Sequence, residues 1–87
     1  MRAINLQGQA IPLSSSAGST VNNSTLVRVT HISDTGPIKI EVKDRNNTNT
    51  SSIYLSAQET VYIMKEPSDT IWGGDPSGYM TPVVFVY

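Results

Sequence analysis

No cysteine occurs anywhere in the 87 residues, which excludes disulfides and thiolate metal sites. The single histidine, His31, leaves any zinc site to be built mostly from carboxylates, an unusual donor set. Charge is scarce as well: six Lys and Arg against seven Asp and Glu give a formal net charge of −1. No basic stripe exists to neutralise phosphates, so nucleic acid is not an expected partner. No apolar run approaches the roughly 20 residues of a membrane helix, so no membrane is expected either. The opening segment MRAINLQGQAIPL interrupts its apolar residues with Asn, Gln and Gly. It lacks the unbroken core of a signal peptide, so the chain is expected to be made and kept in the cytosol unless something larger carries it out.

The motifs of catalysis are missing too. His31 and Asp34 have no nucleophile elbow to serve, and Asp34 falls in the turn beside the histidine's strand. Glu66, Asp69 and Asp75 lack the spacing of a calcium loop and are the aspartates and glutamates of turns. WGGDPSG has no Lys-Ser/Thr ending to hold a phosphate. Asn22, Asn23, Asn46 and Asn49 begin N-x-S/T patterns, which without a signal peptide are turn residues. The expectation is a non-enzymatic protein without cofactor or metal.

A chain this short is one domain, residues 1–87. A domain of this size buries only about 60% of the surface its unfolded chain exposes. Small folds usually add disulfides, a metal or partner subunits, and here partner subunits are the remaining supplement.

What is present is period-two alternation, with helical periodicity missing almost throughout. PIKIEVK places Ile38, Ile40 and Val42 on one face and Lys39, Glu41 and Lys43 on the other, a half-buried strand. TLVRVTHI sets Val27 and Val29 opposite Arg28 and Thr30. SDTGP between these two runs is a turn signal, so a hairpin is expected there. DRNNTNT is a polar tip. SSIYLS and ETVYIMK follow as two more strands, with Ile53 and Leu55 sharing a face, and Val61 and Ile63 another. AINLQG and AIPL supply short strands near the start, and SSSAGSTVNNS a long small-polar connection. The sum is an all-β fold, a small antiparallel β-sandwich or open barrel of about six to seven short strands.

The last strand, TPVVFVY, is apolar on both faces. Such a strand is either central in its sheet or covered by another subunit. The stretch before it, KEPSDTIWGGDPSGYMTP from Lys65 to Pro82, holds the only tryptophan, three glycines and three prolines. It reads as a long loop, and loops of that length are usually functional or disordered. Ile71, Trp72, Tyr79 and Met80 are costly to leave in water, which argues against disorder. Two readings follow. Trp72 folds back as a plug over one end of the sandwich, or Trp72 and Tyr79 anchor a neighbouring molecule. The candidate interface residues are accordingly Ile71, Trp72, Tyr79, Met80 and the apolar terminus at Tyr87.

The opening NLQGQAIPLSSSAG, the central TLVRVTHISDTGPIKIEV, and ETVYIMKEPSDTIWG ahead of the closing PVVFVY resemble short virion structural proteins of marine tailed bacteriophages. The likeness spans most of the chain. It is carried by the order of elements, with Lys65 to Ile71 following one strand and preceding an apolar terminal strand. It implies a non-enzymatic β-sandwich, present in many copies and without cofactor, that coats or joins parts of the particle. Capsid decoration or cement at subunit boundaries is the expected role. The partners would be the chain itself and other virion proteins, the major capsid protein foremost, and the location the virion after synthesis in the host cytoplasm. The alternative is a tail, neck or fibre component that binds a host surface or glycan, its aromatics and Asn-rich tips facing sugar rings and hydroxyls.

Overall fold

The computed structural model describes residues 3–32, 36–46, 48–74 and 78–86. Among them the fold is all-β, with no helix. Eight strands follow in chain order: β1 Ala3–Leu6, β2 Ile11–Pro12, β3 Leu26–His31, β4 Ile38–Lys43, β5 Thr50–Leu55, β6 Thr60–Met64, β7 Thr70–Gly73 and β8 Gly78–Val86. Every pairing is antiparallel. The larger sheet runs β1-β8-β3-β6, with β2 also paired to β8, and the smaller runs β5-β4-β7.

Alternation builds the core as the sequence leads one to expect. Val27 and Val29 of β3, Ile38 and Ile40 of β4, and Leu55 of β5 are buried together in one cluster. The two sheets therefore share a core, and each keeps its polar residues on the far face, as Lys39 does on β4. His31 ends β3 fully buried, its Nε2–H donating to the Gly36 carbonyl at 2.8 Å. Residues 33–35 lie outside the described residues, but β3 and β4 belong to different sheets. They are not a hairpin. The chain changes sheets between His31 and Ile38, which a Gly-Pro signal does not distinguish from a hairpin.

The β4–β5 hairpin is closed by Asp44. Its Oδ1 accepts from the Asn46 and Thr48 backbone N–H groups at 3.1 and 2.9 Å. Its Oδ2 accepts from the Thr48 hydroxyl at 2.8 Å and the Asn49 amide at 3.1 Å. The Thr48 hydrogen bonds, chiefly, hold the Asp44 carboxyl below its ordinary pKa, because bonds donated to a carboxylate favour its charged form.

The stretch from Lys65 to Pro82 is not a long loop. It contains β7 and the first half of β8. Two of its three glycines, Gly73 and Gly78, are strand positions that make room: a Cβ on Gly73 would lie 2.8 Å from Leu13, and one on Gly78 would also collide with Leu13. Leu13, only 2% exposed, sits over both strands where they lack side chains. Close approach of this kind is one of the few reasons for glycine inside a strand, and the same residues in sequence read as turn punctuation.

The small-polar connection between β2 and β3 is also structured. Ser19 and Ile71 exchange backbone hydrogen bonds at 2.8 and 3.1 Å, and the Gly73 N–H donates to the Ser14 carbonyl. Val21, Asn22 and Asn23 all take positive φ, between 53° and 58°. For a β-branched valine that is a strained conformation. Complete burial of Val21 against the core offsets it.

β8 divides the two readings of the apolar terminus. From Gly78 to Pro82 it is central, with β3 on one side and β2 overlapping on the other. From Val83 to Val86 it pairs with β1 alone among the described residues, and Val84 and Val86 are exposed. Tyr87 lies outside the described residues.

Candidate interaction surface

Three of the residues expected at an interface stand differently in the fold. Ile71 is fully buried and Met80 is 1% exposed. Both face inward from regular strands and belong to the chain's own core, so neither is available to a neighbour. Apolar character marked them, but once β7 and β8 exist their alternation turns them inside. Tyr79 is half-buried on β8, between Pro12 and Thr30 of the flanking strands.

Trp72 lies opposite Glu41 in the β4–β7 ladder, on the outer face of the smaller sheet and half-buried. Its indole Nε1–H donates to the Thr70 hydroxyl at 2.8 Å. The Lys43 ammonium stands 4.4 Å from the ring centroid, a cation–π contact worth about 0.5–1 kcal/mol at an exposed site. Gly18 rests against the indole so closely that a Cβ there would collide with its Nε1 and Cε2. The ring thus holds the Ser14–Val21 segment against β7. It covers an edge of its own sheet and shares its ring with Lys43.

The exposed apolar surface lies elsewhere. Met64 is 84% exposed, Tyr54 66%, Leu6 63% and Ile53 47%, with Tyr62, Val84 and Val86 at about the same level as Ile53. Two recesses run among these residues. The larger, about 800 Å³, lies between the Asn22–Leu26 segment, Met64 and the Val83–Phe85 half of β8. The smaller, about 330 Å³, opens between the sheets at one flank, with Ile40, Ile53, Ile63, Met64 and Asp69 around it. Met64 borders both. Tyr62 and Phe85 pack at 5.0 Å between ring centroids, tilted by 50°, an arrangement aromatic pairs favour.

Part of this surface was legible. In TVYIM the inward residues are Val61 and Ile63, so Tyr62 and Met64 occupy the face where polar residues belong. Two large apolar residues on a solvent face are the signal that the sequence reading passed over. The exposure of Ile53 carries no such signal. It shares a face with Ile40 and Leu55, but β5 is an edge strand and the flank is open beside it.

The polar chemistry around the recesses is limited. Among the described residues no three His, Cys, Asp or Glu side chains converge on a common point. Glu66 and Asp69 close a turn, the Glu66 N–H donating to Asp69 Oδ2 at 3.2 Å and the Asp69 N–H to the Glu66 carbonyl at 3.0 Å. Asp34 and Asp75 lie outside the described residues. Lys65, at 9% exposure, donates to the Glu66 and Pro67 carbonyls at 3.2 and 3.4 Å. Burial lowers its pKa and the nearby Asp69 carboxylate opposes the shift.

The chain matches no family model, no curated protein and no solved structure.

Proposed function

We propose that this chain is a non-enzymatic structural protein that acts by assembly: a virion component of a tailed bacteriophage, present in many copies and seated on the capsid as decoration or cement. The observation that carries the assembly reading is the set of apolar side chains exposed on β6, β1 and the end of β8: Met64 and Leu6 on one face of the larger sheet, Val84 and Val86 on the other. Met64 and Val84 both border the larger recess, and apolar side chains gathered at a recess mark a protein contact more often than a bare exterior. The phage setting and the major capsid protein as partner rest on the resemblance of NLQGQAIPLSSSAG, TLVRVTHISDTGPIKIEV and ETVYIMKEPSDTIWG to short virion proteins.

The mechanism is burial across a subunit boundary. The outward Lys39, Glu41, Arg28 and Thr30 keep each copy soluble. The β1–β8 ribbon and the larger recess beside it would take an apolar projection from the shell. A two-stranded ribbon is marginal alone in water, so contact there also orders it.

The test is reconstitution on particles lacking the protein, with occupancy measured against the major capsid protein. Val84→Asp changes an exposed side chain and should leave the circular dichroism spectrum unchanged. It should lower occupancy by about tenfold or more if Val84 is central to the contact. Occupancy equal to wild type would remove the ribbon from the contact. A few copies per particle, rather than numbers in step with the shell protein, would move the chain to the neck, tail or fibre.

A further inference from the structure

We infer that β6 is a self-complementary edge, and that a second copy of this chain pairs with it antiparallel across a two-fold axis at Tyr62. This rests on the assembly reading for its purpose, but its test uses the isolated chain, so failure here is distinct from failure to bind a particle.

The first argument is the ladder. Lys65 donates its N–H to the Thr25 carbonyl, and His31 donates to the Glu59 carbonyl. Alternation along the β3–β6 register therefore turns the backbone groups of Val61 and Ile63 toward β3. Those of Thr60, Tyr62 and Met64 point the other way, to the open side. Among the described residues no backbone group pairs with them. The strand between its flanking charges is Thr-Val-Tyr-Ile-Met. It has no charge, no proline and no break in register, the devices by which edges are usually guarded.

The second argument is charge. A two-fold axis at Tyr62 sets Tyr62 opposite its own copy, Thr60 opposite Met64, and Val61 opposite Ile63. The next residues outward are Glu59 and Lys65, and the same register sets each opposite the other in the second copy. Glu59 is exposed with one carboxylate oxygen on the Ser56 N–H, and Lys65 is largely buried with its ammonium on the Glu66 and Pro67 carbonyls. The register therefore brings opposite charges near each other at both ends at once without requiring a direct ion pair. That register also joins every outward N–H and C=O of Thr60, Tyr62 and Met64 to the partner, since all three fall at hydrogen-bonded positions. Moving the axis to Val61 or Ile63 leaves one of the three without its counterpart in the strand and breaks the Glu59–Lys65 match. The open edge of β5 has no such marker: Thr50–Leu55 and its neighbours in TNTSSIYLSAQ are uncharged.

The side chains agree with this occupant. Tyr62 and Met64 stand exposed on one face, and Ile63 borders the smaller recess on the other. A second copy would meet apolar side chains with apolar side chains on both faces, which cross-strand pairs favour.

Sedimentation equilibrium of the isolated chain tests this. The wild type should show a reversible monomer–dimer equilibrium. Tyr62→Pro removes an N–H that β3 does not use, a position where an edge strand tolerates proline, and should abolish the dimer. Glu59→Lys sets like charges opposite at both ends and should raise the dissociation constant by about tenfold. Circular dichroism checks folding. Should Tyr62→Pro fail to fold, Tyr62→Cys decides: in a chain with no other cysteine, the axis sets the two thiols opposite each other, and a short bis-maleimide should join them far faster than in Ser52→Cys. A wild type that remains monomeric at its solubility limit overturns the inference. So does a dimer indifferent to Glu59→Lys, or equal cross-linking of the two cysteine variants.

Discussion

The two sheet edges at β7 and β6 face the same physical problem and meet it differently. Both strands pair on one side, β7 with β4 and β6 with β3, and both would leave a row of backbone donors and acceptors on the other. At β7 the chain covers the row itself. Ser14 and Ser19 bond Gly73 and Ile71, and Trp72 packs on Gly18 to hold them there. At β6 nothing among the described residues does so, although the strand is longer and more apolar. The largest side chain in the protein is committed to closing one edge and none is committed to the other. An edge left bare in a chain that elsewhere covers one is explained if a partner takes the place of the segment.

The comparison can be broken first in the cores behind the two edges. Ile71→Ala empties a fully buried site behind the covered edge and should cost about 2–5 kcal/mol. Ile53→Ala, at the open flank where the side chain is 47% exposed, should cost about 1 kcal/mol or less in dilute solution. Thermal or urea melting of the two variants checks this, and equal losses would mean the flank is closed within one chain.

Trp72→Ala comes next. It removes a half-buried ring and its contact with Lys43, so stability should fall by about 2 kcal/mol, while the dissociation constant of the dimer should hardly move. A large change in self-association without loss of stability would return Trp72 to the role of an anchor. Gly18→Ala should reproduce part of the stability loss by pushing the segment away from the indole.

Asp44→Asn acts on the β4–β5 hairpin tip and sharpens the contrast by titration. The Asp44 carboxyl has a lowered pKa in the folded chain, so its stabilisation is present above the unfolded value near 3.8 and is lost as pH falls through the folded value. The variant should show a weaker loss of stability on the acid side, seen by melting the two proteins side by side down to low pH. Both edges should be unaffected.

The smallest effect is expected at Lys65. Its pKa is also lowered, by burial, but for an ammonium the sign is opposite. The charged form carries the penalty, so stability should rise as pH increases from the folded value toward 10.5 and be level above it. Lys65→Met should flatten that alkaline rise, measured by melting across the window. It also removes the Glu59 counterpart in the pairing proposed above, and so should weaken the dimer.

How far the sequence disclosed this fold depends on how local each signal is. β3, β4 and β6 carry clean alternation, and their inward residues are the ones it names. β7 and the start of β8 were hidden because Gly73 and Gly78 are set by Leu13, a residue far away in the chain. Nothing near those glycines distinguishes a strand making room from a turn. The sheet assignment of β3 and β4 was hidden for a similar reason, since a short turn serves a hairpin and a crossing between sheets alike. At the surface, exposure of Tyr62 and Met64 was readable from alternation, whereas exposure of Ile53 follows from β5 lying at an edge, a tertiary fact. Burial of Ile71 and Met80 follows from strands that sequence did not reveal.

Backbone hydrogen exchange, resolved residue by residue, tests the central claim most directly. The Ile71 and Gly73 amides are bonded within one chain and should be protected at every protein concentration. The Thr60, Tyr62 and Met64 amides should exchange rapidly in dilute solution and become protected together as concentration rises through the dimer's dissociation constant. Protection of Tyr62 at all concentrations, or at none, would contradict the account.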